Sequence, residues 1–494
     1  MTDKQAHPKG LYTLFATEMW ERFSYYGMRA LLTLYLTAEL VDGGFGLDRG
    51  SALELYAIFT GLVYLTPILG GWIADRFIGK RKTVYIGGIV MAIGQFLLAA
   101  SAFMVNSLDP TSRIFLFNFG LGVLIIGNGF FKPNISTIVG DFYDDNDPRK
   151  DSAFNIFYMG INLGAILGPF IAGALGENVH WGWGYFAAGI GLILSVFWLK
   201  AREASLEGHG LPPNTPEGKL VLDSKDWTGI FVWSASLIAG TLVIIYLWGL
   251  IPDTITSTLI TIGFIALIAG LAFIIFKGTE TKDEWSRMIV IVVLAFFNIV
   301  FWAGFEQAGG TMNLFAAENT NRVLFGWEIP ATWFQNINPI AILIFAPIFS
   351  VLWLKLDAKK LNPRTPIKFA LGMFLGAIAF WVMTQADNIA DTGKLVSPLW
   401  LVAVYVVLTL GELMLSPIGL SMITKLAPAK LVSVVMGLWM ASFAAGNYFA
   451  GIMEGVLEKY DLALYPFISS IMLGTGIIIL LLSPLLNKAM RGIH

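Results

Sequence analysis

Long apolar segments follow one another along the whole chain, separated by short stretches that carry glycine, proline and charge. Because a membrane-spanning helix needs about 20 mainly apolar residues, this pattern predicts about fourteen transmembrane helices. The segments lie near Tyr12–Glu39, Ser51–Asp75, Thr83–Met104, Ile114–Val139, Ala153–Leu175, Gly182–Leu199, Trp227–Leu250, Thr254–Phe276, Met288–Gly310, Thr332–Leu354, Ile367–Thr384, Pro398–Thr424, Val432–Met453 and Leu464–Leu486. The chain is therefore predicted to be an all-α integral membrane protein.

Composition agrees with this prediction and excludes several kinds of function. Of the 494 residues, 56% are hydrophobic and 13% are charged, whereas soluble globular chains carry roughly 25% charged residues. The net charge of −2 excludes a general basic surface for nucleic acid, because phosphate binding needs clustered Lys and Arg. The absence of cysteine excludes disulfides, thiolate metal sites and cysteine nucleophiles.

Enzyme and metal motifs are also missing from the sequence. It has neither the zinc-binding H-E-x-x-H motif nor the phosphate-binding G-x-x-x-x-G-K-[ST] motif. The histidines lie in loops, at ends or just outside the predicted spans, at His7, His180, His209 and His494. We therefore expect no metal, no cofactor and no enzyme active site.

Positive charge indicates the orientation of the chain, because cytoplasmic loops of membrane proteins carry an excess of Lys and Arg. With the N-terminus inside, most of the 32 Lys and Arg residues fall in inside loops and ends. The outside loops then hold only Arg49, Arg113, Arg322, Lys394 and Lys459. This bias predicts that both termini are cytoplasmic.

A polar stretch rich in Gly and Pro, Ala201 to Asp226, follows the first six predicted spans and indicates a cytoplasmic linker. Two inserted spans and then six more complete the chain. Six-plus-six organisation is typical of major facilitator transporters, whose halves are structural repeats. The predicted domains are an N-terminal six-helix bundle at 1–200, the linker with two inserted helices at 201–285, and a C-terminal six-helix bundle at 286–494.

Ionisable residues inside spans are the most informative feature, because each costs a few kcal/mol in the membrane. On the first span, several polar residues fall within an arc of about 140°. These are Glu18, Glu21, Arg22, Tyr25, Tyr26 and Arg29. A purely structural polar seam, in which Glu18 and Arg22 neutralise each other, is one interpretation. Two tyrosines and a second arginine exceed what such neutralisation requires.

Other spans carry further polar groups beside backbone irregularities. Lys132 precedes a proline in the fourth span, Glu306 follows Trp302 by one turn, and Glu412 precedes Ser416 by one turn. Asn338 also stands directly before a proline. Basic groups therefore come from the first half and acids from the second, and across both halves the carboxylates outnumber the cations by one. The extra acid is a candidate to carry a proton.

These residues are specific enough to indicate a family. The segment Glu18-x-x-Glu21-Arg22-Phe-Ser-Tyr25-Tyr26 resembles the ExxER-F-x-Y-Y signature of the proton-dependent oligopeptide transporter family. Four further segments are similar to elements of that family: Gly70 to Arg81, Phe157-Tyr158 to Asn162 and Gly164, Phe301-Trp302 to Glu306-Gln307, and Gly411-Glu412 to Ser416-Pro417. The resemblance implies a major facilitator fold of two six-helix bundles with two inserted helices, as in prokaryotic members.

The resemblance also implies a function and a site. We expect a proton-coupled symporter that imports di- and tripeptides through a central cavity open alternately to either side. By the resemblance, Arg22 and Lys132 hold the peptide carboxylate, and Asn162, Asn338 and Glu412 receive the amino group. The side-chain pockets are lined by Tyr25, Tyr26, Tyr64, Trp302, Trp439 and Ser416. The proton-linked acids are Glu18, Glu21 and Glu306, the last of which pairs with Arg29 when ionised.

Some alternatives remain open from the sequence. A transporter of the same fold could carry another small solute, such as nitrate, an amino-acid conjugate or a peptide-like drug. An intramembrane enzyme and a receptor or scaffold are alternatives of a different class. Animal members of the family use a histidine in the second span that this chain lacks, so coupling is expected to rest on carboxylates. The expected partners are peptides, protons and the lipid bilayer of a bacterial inner membrane.

Overall fold

The computed structural model describes residues 6–144, 147, 149–212, 227–229, 231–232, 235, 239–240 and 253–491. Within these residues the chain forms 15 α-helices and one two-stranded hairpin. The helices that precede the linker are α1 (Lys9–Thr37), α2 (Arg49–Ile73), α3 (Lys80–Phe103), α4 (Pro110–Asp141), α5 (Lys150–Gly168), α6 (Ala174–Asn178) and α7 (Trp181–Ala201). A π-helix, Ala74–Ile78, extends α2, and another, Pro169–Gly173, joins α5 to α6.

The second part of the chain has the same helical character. Its helices are α8 (Asp253–Gly278), α9 (Lys282–Phe305), α10 (Thr311–Glu318), α11 (Ile337–Ala358), α12 (Thr365–Ala390), α13 (Pro398–Leu426), α14 (Val432–Glu458) and α15 (Leu464–Ala489). The hairpin strands β1 (Val323–Leu324) and β2 (Trp327–Glu328) connect α10 to the 3-10 helix Ala331–Asn336, which leads into α11.

The predicted membrane architecture is confirmed. Among the described residues, 10 helical segments are long and apolar enough to cross a bilayer. Helices α1, α2 and α14 have 29, 25 and 27 residues, which at about 1.5 Å per residue exceeds the hydrocarbon thickness. The predicted span Trp227–Leu250 lies largely outside the described residues, so fourteen spans is an approximate count.

The helices divide into two compact units. One comprises Met1–Leu47 with Leu62–Ile251, and the other comprises Asp48–Gly61 with Pro252–His494. In the first unit α1 packs against α5 and α7, and α3 packs against α4 and α7. In the second unit α12 packs against α13 and α15, and α9 packs against α14. The predicted domain boundaries at 200 and 285 stay a prediction.

A glycine face on α5 explains its close contact with α1. Gly160, Gly164 and Gly168 recur at four-residue spacing and so share one side of the helix. A Cβ atom on Gly164 would lie 2.3 Å from the carbonyl oxygen of Met19 and 2.7 Å from the Cβ of Arg22. Only a residue without a side chain allows the two backbones to approach this closely.

Arg113 departs from its predicted position in an outside loop. Its guanidinium is buried in the first turn of α4, where it donates hydrogen bonds to the Tyr35 hydroxyl at 3.0 Å and to the Gly43 carbonyl at 2.7 Å. The Phe45 ring lies 4.9 Å from the guanidinium carbon. The segment that follows α1 therefore folds over Arg113, and backbone carbonyls replace water as acceptors.

Gly164→Ala is expected to destabilise the protein by about 1–3 kcal/mol, because the new Cβ has no room against the backbone of α1. A matched control is Gly474→Ala on α15, since a Cβ there has no neighbouring atom within 4 Å. Thermal unfolding in detergent measures both variants. Equal melting temperatures would contradict the assigned α1–α5 contact.

Candidate functional site

In the first unit, a buried ion cluster occupies the middle of α1. The Nε atom of Arg22 lies 2.7 Å from Oε1 of Glu18 and 2.8 Å from Oε2 of Glu21. Glu21 is fully buried, while Glu18 and Arg22 are 2% and 4% exposed. The predicted Glu18–Arg22 pair at helical i,i+4 spacing is therefore confirmed, and the adjacent Glu21 shares the same guanidinium. Buried charges need such partners because removal from water is costly for each of them.

Lys132 joins this cluster from α4. Its Nζ atom lies 3.9 Å from the centre of the Tyr64 ring on α2, a distance at which a cation is attracted by the π-electrons of an aromatic face. Its charge also acts on the carboxylate of Glu21. The first unit therefore holds two buried carboxylates with an arginine, and a half-buried lysine with an aromatic ring.

Close packing of α2 on α4 positions Lys132 against Tyr64. A Cβ atom on Gly70 would lie 1.9 Å from the carbonyl oxygen of Gly129. Pro133 has no N–H to bond that carbonyl, so the helix is irregular here. The Asn134 amide donates to the Phe130 carbonyl at 2.7 Å. The helix thus lacks one backbone hydrogen bond directly beside Lys132.

The remaining predicted residues of α1 continue the same face. The rings of Tyr25 and Tyr26 meet edge to face with centres 5.3 Å apart. The Arg22 guanidinium lies 5.8 Å from the Tyr25 ring, and that of Arg29 lies 6.0 Å from the Tyr26 ring. Asn162 on α5 is buried and donates to the carbonyl of Tyr158 at 2.9 Å.

In the second unit, a carboxylate is held by neutral donors. The Asn338 amide at the start of α11 donates to Oε2 of Glu412 on α13 at 2.8 Å and to the Thr409 hydroxyl at 3.0 Å. The Thr409 hydroxyl in turn donates to the Tyr405 carbonyl at 2.7 Å. Glu412 is 8% exposed. Ser416 lies one turn beyond Glu412 on α13 and is half-buried.

Glu306 lies at a break in the backbone. The predicted span to Gly310 is not one continuous helix, because α9 ends at Phe305 and the 3-10 helix Glu306–Gly309 follows it. The Gln307 amide donates to the carbonyls of Ala303 and Ala450 at 3.1 and 2.8 Å. These bonds satisfy one backbone carbonyl at the break and one on α14, and Glu306 itself is 2% exposed.

Trp302 is oriented by a hydrogen-bond chain. Its indole N–H donates to Oδ1 of Asn298 at 3.1 Å, and the Asn298 amide donates to the Ser442 hydroxyl at 2.9 Å. The hydroxyl donates to the carbonyl of Trp439 at 2.7 Å. Trp439 itself is fully buried, and its ring packs against Phe369.

Thr409, Asn298 and Ser442 were not predicted from the sequence. Asn298 precedes Trp302 by one helical turn, so the spacing rule that paired Trp302 with Glu306 would also have found it. Thr409 and Ser442 join their partners across helices, and no local spacing indicates that. Within the described ranges, no three His, Asp or Glu side chains form a group that could hold a metal ion.

The chain is similar to a family of membrane transporters. The family model described as POT family matches residues 81–471. The uncharacterized transporter YclF of Bacillus subtilis is 40% identical over 99% of this chain and 96% of its own length. The peptide transporter YePEPT of Yersinia enterocolitica is 37% identical over 97% of this chain and 94% of its own length.

Two further similar proteins are described together with the compounds that they transport or bind. A di-/tripeptide transporter of Lactococcus lactis is 34% identical over 99% of this chain and 97% of its own length. A crystal structure of a mutant of the peptide transporter POT in complex with alafosfalin has 35% identity and a TM-score of 0.86, and it covers 99% of this chain and 97% of that one.

Arg22→Met is expected to lower stability by about 3–5 kcal/mol, because it leaves the buried carboxylates of Glu18 and Glu21 without their shared cation. The double variant Arg22→Met with Glu18→Gln should recover part of the loss. Thermal unfolding in detergent tests both, with exposed Arg202→Met as the matched control. A wild-type melting temperature for Arg22→Met would contradict the assigned role of the ion cluster.

Proposed function

Because the chain belongs to the POT family, which consists of transporters and not enzymes, we propose that it is a proton-coupled symporter of di- and tripeptides. The observation that carries the proposal is the complementary chemistry of the two units. One holds Arg22 and Lys132 beside an aromatic ring, and the other holds Glu412 with only neutral donors among its described bonds. A zwitterionic peptide has one group for each. The peptide relatives support the same substrate class.

We assign the peptide carboxylate to Arg22 and Lys132. Hydrogen bonds between ionised groups are stronger than neutral ones, and a buried site strengthens them further. The Tyr64 ring beneath Lys132 restrains the flexible lysine chain. Arg22 is restrained by its bonds to Glu18 and Glu21. The peptide therefore meets cations that are already positioned.

Charge balance links this carboxylate to a proton. With both acids ionised, Glu18, Glu21, Arg22 and Lys132 sum to zero charge. A bound carboxylate adds a negative charge to a buried region, and uptake of one proton restores neutrality. Binding of the peptide therefore favours binding of the proton, and binding of the proton favours binding of the peptide, as thermodynamic linkage requires. Glu21 is the proposed acceptor, because it is fully buried and shares Arg22 with Glu18, so Arg22 keeps one carboxylate partner when Glu21 is protonated.

We assign the peptide amino group to Glu412, with Asn338 and Asn162 as neutral partners. The side-chain pockets are assigned to Tyr25, Tyr26, Tyr64, Trp302, Trp439 and Ser416. Trp302 is held by Asn298, so its ring presents a defined surface. Glu306 is the second proposed proton-linked acid, and its pairing with Arg29 is a step in alternating access.

Both termini are proposed to be cytoplasmic in a bacterial inner membrane. The bias of Lys and Arg toward alternate loops supports this orientation.

Uptake of labelled dialanine into proteoliposomes tests the proposal. With one proton carried per peptide, an inward gradient of about one pH unit supports about tenfold accumulation. Glu21→Gln should lose this accumulation but keep exchange of internal for external peptide, because glutamine fills the same space without titrating. Wild type that takes up no dialanine while transporting another solute would leave the fold intact and refute the peptide assignment.

Asp147→Asn is the matched control, as it removes one carboxylate charge outside the spans. Hydrogen bonds from Arg149 lower the pKa of Asp147 to about 2, and Arg149 Nη2 lies 2.7 Å from its Oδ2. With a lowered pKa, Asp147 stays ionised until the pH falls toward about 2, so it exchanges no proton in the physiological range. Uptake and its pH dependence should match wild type.

Glu306→Gln should also lose gradient-driven accumulation while keeping exchange. If Arg29 and Glu306 act as a pair, Arg29→Gln combined with Glu306→Gln should be no worse than either single variant, since paired residues are not additive. Exposed Glu458→Gln on the same unit is the control. Full gradient-driven uptake by Glu306→Gln would remove Glu306 from the coupling mechanism.

A further inference from the structure

The β1–β2 hairpin between α10 and α11 has an unusual tip. Val323 pairs with Glu328 and Leu324 pairs with Trp327, so Phe325 and Gly326 form a two-residue turn. Both have positive φ, at 52° and 79°, as a type I′ hairpin turn requires. Such turns favour Asn, Asp or Gly, because a bulky side chain in the left-handed region is strained.

The hairpin exposes half or more of nearly every apolar side chain that it carries. Phe325 is 99% exposed, Val323 60%, Leu324 50% and Trp327 49%. Val323 shares one face of the hairpin with its partner Glu328, and Leu324 and Trp327 form the other, so each face carries an exposed apolar side chain. Among the residues that the structure describes, no contact covers the Phe325 side chain or stabilises its left-handed backbone conformation.

Its base, in contrast, is fixed by polar contacts. Arg322 lies 2.7 Å from Oε1 of Glu328 and donates to the Ile329 carbonyl at 2.7 Å. The backbone N–H of Asn321 donates to the Val396 carbonyl at 2.8 Å. Charge is thus confined to the base of the hairpin, and the tip is apolar.

The hairpin is continuous with an exposed apolar surface of its unit. The Trp327 ring contacts the Trp333 ring with centres 5.2 Å apart, and Trp333 belongs to the 3-10 helix that leads into α11. Helix α11 is an apolar candidate span that is exposed along most of its length. Aromatic side chains concentrate at this level, where a membrane helix meets the headgroup region.

We propose that the β1–β2 hairpin is an interfacial anchor that inserts its tip, Phe325 with Val323, Leu324 and Trp327, into the outer boundary of the phospholipid bilayer. Lipid fits better than a second copy of the chain, because lipid surrounds both faces of a hairpin whereas a flat protein contact covers one. The hairpin is charged at its base and apolar at its tip, and the headgroup region likewise changes from polar on the water side to apolar at the acyl chains. This anchor would fix the connection between α10 and α11 independently of which solute is transported.

The absence of cysteine allows a direct test. Val323→Cys, which leaves Phe325 and Trp327 in place, is labelled with an NBD fluorophore in phosphatidylcholine–phosphatidylglycerol proteoliposomes. Lys394→Cys is the matched control, an exposed polar position beside the segment that pairs with the hairpin base. Nitroxide-labelled lipid should quench the probe at 323 several-fold more than the probe at 394, and aqueous iodide should show the reverse order.

A second variant separates the anchor from the turn. Phe325→Asn in the Val323→Cys chain favours the same turn but removes the apolar tip. It should move the 323 probe toward iodide and away from lipid quenching, with uptake unchanged. Two results would overturn the proposal. One is equal quenching of the probes at 323 and 394. The other is a probe at 323 that both quenchers reach only after the protein is diluted in lipid, which would identify a second copy of the chain as the occupant.

Discussion

The shared pairing of Arg22 with Glu18 and Glu21 is the interaction on which the rest of the first unit depends. A membrane helix tolerates buried charges only when they neutralise one another, because each isolated charge costs several kcal/mol. This requirement places the acids and the arginine on one face of α1. It also requires neighbouring helices to exclude lipid from that face, which α5 does through Gly164. The contact between α5 and α1 therefore both packs the two helices together and keeps lipid away from the charged face.

The second unit meets the same constraint with different chemistry. The bonds described for Glu412 come from the neutral Asn338 amide, and the Trp302 indole is bonded to another amide, that of Asn298. Neutral donors orient a carboxylate without cancelling its charge, so it stays attractive to a cation. The first unit, by contrast, has its charges already balanced.

Backbone irregularity coincides with these polar groups. Pro133 interrupts α4 directly after Lys132, and Pro417 lies within α13 one residue after Ser416. Glu306 opens a 3-10 helix where α9 ends. Irregular backbone inside a membrane is stable only where other groups satisfy the freed donors and acceptors, as the Gln307 amide does for the Ala303 carbonyl. The breaks therefore lie where polar side chains are concentrated.

The sequence by itself determined the membrane-spanning helices and the contacts within single helices. Hydropathy and i,i+4 spacing are local properties, so they were enough to predict the Glu18–Arg22 pair. They also drew attention to the ionisable residues inside the spans, whereas residues such as Asn162, Tyr64 and Trp439 were implied only by the family resemblance. Tertiary structure alone decided the contacts between helices: Lys132 on Tyr64, Asn338 on Glu412, and the burial of Arg113. These depend on which helix faces approach each other, and that is set by the summed packing of many side chains rather than by the spacing of any few.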